Sequence, residues 1–191
     1  QKETGSALVY ISFFLMFYRE GMTGSVLFTG VAMVIYFVVG IRYEEALMFD
    51  TTTSIGKFAV LLLVQIFTSG MVYVYCKDKQ QALTILVYSV GITLLALLFA
   101  VFVIPFDIIW VQLAVSAGLV GYLVYLWMNR RIKHYLYILL FTIGSIAFFY
   151  SADYVLNNIM EPHQRVRINV LLGLDEDLAG AGYNVHQSEI A

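Results

Sequence analysis

The stretch Ala82–Ile104, ALTILVYSVGITLLALLFAVFVI, decides the fold. It runs for 23 residues without a charge, and its apolar residues are continuous rather than alternating. A hydrocarbon layer of roughly 30 Å needs about 20 such residues in a helix. A strand is a poor alternative, because the period of two is missing and an open sheet edge is not tolerated in lipid. Outward from this run, five further segments approach the same length: Thr4–Tyr18, Gly24–Ile41, Phe58–Tyr75, Ile108–Met128 and Tyr135–Leu156. Thr4–Tyr18 is short, and either extends upstream or lies beside a re-entrant turn.

The whole composition agrees. The 191 residues are 61% hydrophobic and 13% charged, with a mean hydropathy of +0.82. Water-soluble domains carry about 25% charged and about 45–50% apolar residues. A soluble domain, a disordered chain and a nucleic-acid binder are therefore set aside, and a net charge of -2 gives no pull toward a polyanion. The single Cys76 excludes an internal disulfide framework and a multi-cysteine metal site. The chain begins at Gln1 without an initiator Met, shows no signal peptide, and reads as a piece of a longer protein.

Charge in the connections sets the expected orientation. One set of loops between spans carries Arg19, Lys77, Lys79, Arg130, Arg131 and Lys133; the opposite set carries Arg42 and Lys57. The first set is expected to face the cytoplasm. Gln1 and everything after Asn157 then lie outside it. The expected fold is all-α: a polytopic transmembrane helical bundle of about six spans over residues 1–158, ending in a polar extracytoplasmic loop, 159–191.

The spans hold almost no ionisable side chains. Asp107 sits in a turn, and Asp153 lies near the outer end of the last span. An intramembrane charge is the default marker of a transport pathway, so its scarcity argues against a proton-coupled transporter. Gly118, Gly121, Gly144 and Ser145 read as helix-packing contacts.

After Asn158 the composition turns polar. Glu161-Pro162-His163-Gln164-Arg165-Val166-Arg167 is followed by an apolar run, then by Asp175-Glu176-Asp177-Leu178-Ala179-Gly180-Ala181-Gly182-Tyr183 and the pair Gln187-Ser188. Near the N-terminus stands Gln1-Lys2-Glu3-Thr4-Gly5-Ser6-Ala7-Leu8. Composition alone describes the long loop as a solvated connection.

The order of these residues resembles the SEDS family (shape, elongation, division and sporulation), in its rod-shape-determining RodA branch. Pro-x-Gln-Arg-x-Arg, an acidic position, Gly-x-Gly-Tyr and Gln-Ser-x-x-Ala match from Pro162 to Ala191 through Gln164, Arg165, Arg167, Asp177, Gly180, Gly182, Tyr183, Gln187, Ser188 and Ala191. The opening matches through Gln1, Gly5, Ser6, Ala7 and Leu8. There are departures. Glu3 and Leu178 replace the usual Asp and Pro, Glu189 stands where Lys is common, and six spans stand where the family has two between the motifs.

The resemblance implies a peptidoglycan glycosyltransferase of the bacterial cytoplasmic (inner) membrane, multi-pass, with its catalytic loop on the extracytoplasmic side. Its substrate is lipid II, an undecaprenyl-diphosphate-linked disaccharide peptide, polymerised into glycan strands during cell elongation. Its partners are a class B penicillin-binding protein, other membrane proteins of the elongation complex, and membrane lipid; no nucleic acid is implied. Asp177 takes the family's essential acidic position. A positioned carboxylate serves as general base for the acceptor hydroxyl, worth about 10²–10⁴-fold. Asp175 and Glu176 either raise an apparent pKa of the cluster, or join Asp177 around a divalent cation (Mg or Mn), or are solvated neighbours. Arg165, Arg167 and Gln164 are the candidate substrate ligands, since planar Arg forks suit diphosphate oxygens. Gln1 and Glu3 brace the outer cavity or cap the first helix, Gly5 and Tyr183 belong to the structural motif, and Gly180 and Gly182 permit turn conformations. The stretch alone is expected to be inactive, because the family's downstream segments lie beyond Ala191. A flippase or transporter of lipid-linked cell-wall precursor, and a non-catalytic scaffold of the cell-wall complex, are the rival functions.

Overall fold

In lipid a backbone has no water to bond, so long uncharged runs close their hydrogen bonds internally as helices. The computed structural model describes residues 16, 19, 23–44, 46–48 and 52–159. It contains α1 (Gly24–Arg42), α2 (Ile55–Cys76), α3 (Lys79–Phe102), α4 (Ile109–Arg130) and α5 (Lys133–Tyr154). A π-helical turn, Val155–Ile159, continues α5. All five helices are long and apolar enough to cross a membrane. The 22 residues of α2 rise roughly 33 Å, against a hydrocarbon layer of about 30 Å. The chain is an all-α, multi-pass membrane protein. The expected span Thr4–Tyr18 lies outside the described residues apart from Met16.

Two compact units divide the chain: Gln1–Ile35 with Tyr154–Ala191, and Tyr36–Asp153. In the first, α1 starts at Gly24, with Val26 N–H donating to the Thr23 carbonyl at 3.0 Å. There too, Asn158 Nδ2 donates to the Tyr154 carbonyl at 3.2 Å inside the π turn.

The second unit is built around α2. Its Val60, Leu61, Val64 and Val72 are essentially sealed from the surroundings. Helix α3 packs on it, and α4 lies against both. Most of α3 points outward, with Val87, Leu95 and Phe102 all exposed. That suits a helix whose other faces meet lipid, where no hydrophobic gain comes from burial.

The turns are short because side chains finish the helix ends. Lys77 closes α2 in the left-handed region at φ 53°. The next residue, Asp78, caps α3 by accepting from the Gln81 N–H at 3.2 Å. Arg131 closes α4 the same way at φ 52°, its N–H donating to the Trp127 carbonyl at 2.8 Å. In the connection from α3 to α4, Asp107 accepts from the Ile109 N–H at 3.1 Å. The loop from α1 to α2 is pinned by a lone antiparallel bridge between Leu47 and Ser54.

The expected helix-packing role of Gly118, Gly121 and Gly144 is not what the structure shows. A Cβ at any of the three would meet nothing within 4 Å. The close approaches are made by Gly40 and Gly56. A Cβ on Gly56 would collide with the Gly40 carbonyl oxygen, and one on Gly40 would reach the Phe149 ring. Ser145, read with those glycines, is fully buried.

Candidate functional site

The residues singled out by motif lie outside the described part of the chain. This holds for Gln1, Glu3 and Gly5 at the start. It holds equally for Gln164, Arg165, Arg167, Asp175, Glu176, Asp177, Gly180, Gly182 and Tyr183 in the polar stretch of sequence after Asn158. The described chain ends at Ile159, the last residue of the π turn. No group of three or more His, Cys, Asp or Glu side chains is gathered for a metal among the described residues.

Within Tyr36–Asp153, polar groups concentrate in three places. At one end of the helices, Lys57 Nζ lies 3.2 Å from Asp153 Oδ2 and joins α2 to α5. Beside it in sequence, Thr53 donates its hydroxyl to Asp107 Oδ1 at 3.1 Å and accepts the Ile108 N–H at 2.9 Å. This ties the entry of α2 to the entry of α4. Lys57, expected in a loop, is inside the first turn of α2. Helices outrun the hydropathic runs because long charged side chains carry their heads to the edge of the lipid.

At the opposite end, Asp78 is the meeting point of three helices. Besides capping α3, its carboxylate pairs with Arg130 at the end of α4. It also accepts from the Tyr135 hydroxyl of α5 at 3.3 Å. Close by, the Tyr122 hydroxyl donates to Gln81 Oε1.

Between these ends runs a column of uncharged polar side chains. Gln112 Nε2 donates to the Phe58 carbonyl at 3.3 Å, and Gln65 Nε2 to Ser116 Oγ at 3.3 Å. Thr68 and Thr142 hydroxyls meet at 2.9 Å. Thr142 already donates to the Ile138 carbonyl at 2.8 Å, so Thr68 is the donor across the helix pair. Ser69 donates to the Ala82 carbonyl at 2.7 Å. Gln65, Thr68, Gln112, Ser116 and Thr142 are each at most 2% exposed. Gln65 Oε1 and Gln112 Oε1 have no partner among the described groups. Interhelical hydrogen bonds of this kind hold membrane helices together at about 0.6 kcal/mol each on average.

Charge does not mark this interior in the sequence, because the column has none. The signal was available as spacing: Gln65, Thr68 and Val72 share a face of α2, and Gln112, Ser116, Leu119 and Leu123 share one of α4.

No family model, no curated protein and no solved structure matches this chain.

Proposed function

We propose that the chain is part of a membrane-embedded peptidoglycan glycosyltransferase that polymerises lipid II, with Asp177 as general base. The observation that carries it is the order Gln164, Arg165, Arg167, Asp177, Gly180, Gly182, Tyr183 in a polar segment that follows directly on an apolar helix. A multi-pass helical protein also suits a substrate whose undecaprenyl tail stays in the bilayer while its sugars stand outside. On the orientation drawn from the loop charges, that polar segment is extracytoplasmic.

The chemistry balances on these residues. The acceptor sugar's 4-hydroxyl oxygen attacks the donor's anomeric carbon, its proton passing to the Asp177 carboxylate. The bond from that carbon to the diphosphate oxygen breaks, and undecaprenyl diphosphate leaves with the electron pair. Arg165 and Arg167 offer forked donors to the charge growing on the phosphate oxygens.

Translocation of a lipid-linked precursor is the second reading, favoured by the buried column from Gln112 through Gln65 to Thr68 and Thr142. It ranks below the first because α2 carries no Asp, Glu, Lys, Arg or His between Lys57 and Lys77, and none of the side chains in the column is ionisable. One assay separates them. The full-length protein with its penicillin-binding partner is given purified lipid II, and both glycan polymer and transbilayer movement are measured. Polymer that vanishes with Asp177→Asn is expected. Movement of lipid II without polymer in the wild type would replace the proposal with the second reading.

A further inference from the structure

Helices α3 and α4 leave an apolar groove of about 520 Å³ between them, lined along its length by Tyr88, Ile92, Ala114, Gly118, Leu119 and Tyr122. That is within the ~300–1,000 Å³ range of small-molecule sites. Both helices are long and apolar enough to span the membrane, and Tyr88 on the groove wall is 68% exposed. Hydrocarbon is therefore the medium the groove meets. Charge decides which lipid fills it.

The groove's polar head lies at the Asp78 end. Tyr122 bonds Gln81 there, and the Gln81 N–H bonds the same Asp78 that holds Arg130. Thr84, also on the wall, stands about 7.5 Å along α3 from Lys79. The two turns at this end carry Lys77, Lys79, Arg130, Arg131 and Lys133 against the single acid Asp78. Arg130 is taken by Asp78, while Lys77, Lys79, Arg131 and Lys133 are exposed. The other end of the groove leads to the turn of Asp107, which carries no Lys or Arg, and Lys57 at that end of the helices is paired with Asp153. An apolar trough with cations at one end complements a phosphate joined to an acyl chain, as basic patches at membrane helix ends do for anionic headgroups.

We propose that this groove binds an anionic glycerophospholipid. Its acyl chain lies along Tyr88, Ile92, Ala114 and Gly118, and its phosphate meets Lys79, Arg131 and Lys133. The site is independent of the reaction proposed above.

The test is native mass spectrometry of the full-length protein with dioleoylphosphatidylglycerol or dioleoylphosphatidylcholine at equal concentration. The two probes share their acyl chains and differ in headgroup charge. Retention of phosphatidylglycerol about tenfold above phosphatidylcholine is expected. The triple variant Lys79→Gln, Arg131→Gln, Lys133→Gln should bring the two within about twofold. Gly118→Leu should lower retention of both, since a Cβ there enters open space and the fold tolerates it. Ala114→Leu provides the same obstruction from one turn away. Equal retention of the two lipids by the wild type would overturn the proposal. So would retention unmoved by both Leu variants, displacement by undecaprenyl diphosphate but not by phosphatidylglycerol, or a transmembrane polypeptide held there in place of lipid.

Discussion

Gly56 rests against the carbonyl oxygen of Gly40, with no room for a side chain between them. The contact brings the start of α2 onto the end of α1, and the Gly56 N–H donates to the Tyr43 carbonyl at 2.9 Å. The obstacle facing a Cβ at Gly56 is backbone, which cannot swing aside as a side chain can. Gly56→Ala should therefore cost about 1–3 kcal/mol, the scale of overpacking. Gly118→Ala should be neutral, or stabilise by up to about 1 kcal/mol through helix propensity, because its Cβ meets open space. Thermal unfolding of the two variants in one detergent checks the contrast; equal losses would refute it.

Lys57 and Asp153 are partners across α2 and α5, with side chains 29% and 21% exposed. An exposed pair is worth about 0.2–1 kcal/mol, while losing one partner of a buried pair costs about 3–5 kcal/mol. A coupling of about 1–2 kcal/mol is expected in the cycle Lys57→Met, Asp153→Asn and the double variant. A coupling near zero would mean that α2 and α5 are held by other contacts alone.

Thr68 and Thr142 test whether the polar column is adhesive. Their hydroxyls meet at 2.9 Å in a buried site. Thr68→Val and Thr142→Val should show a coupling of about 0.6–1.7 kcal/mol, the range for membrane helix pairs. Strict additivity would show that the hydrogen bond contributes nothing.

Asp78 serves three helices at once, so its loss should exceed that of any single partner. Asp78→Ala removes a cap worth about 0.5–2 kcal/mol together with the bonds to Arg130 and Tyr135. Arg130→Gln should cost about 1 kcal/mol or less, because the Arg130 side chain is 43% exposed. Unfolding midpoints of the two variants give the comparison; an Arg130→Gln loss as large as that of Asp78→Ala would contradict it.

Much of this was legible in the residues, and the failures have physical causes. The uncharged run from Ala82 and its neighbours marked the helices to within a few residues. Where ends moved outward, hydropathy follows the lipid whereas a helix continues past it: α2 begins at Ile55 rather than Phe58 and takes in Lys57, and α3 begins at Lys79 rather than Ala82, though it stops at Phe102, short of Ile104. In helices apolar on every side, the usual contrast between a greasy and a polar face is missing, so sequence did not say which face was inside. Buried Gln65 and Gln112 carried that information through their spacing. Glycine was ambiguous for a similar reason. Gly40 and Gly56 are at close approaches and Gly118 is not, and only the neighbouring helices distinguish them. The motif residues from Gln164 to Tyr183 stand on sequence order alone.

The most direct measurement is glycan yield from purified lipid II by the full-length protein and its penicillin-binding partner, wild type against Asp177→Asn. A drop of about 10²-fold or more, with unchanged expression and thermal midpoint, is the outcome expected of a lost general base. Polymer made by Asp177→Asn at the wild-type rate would contradict the assignment.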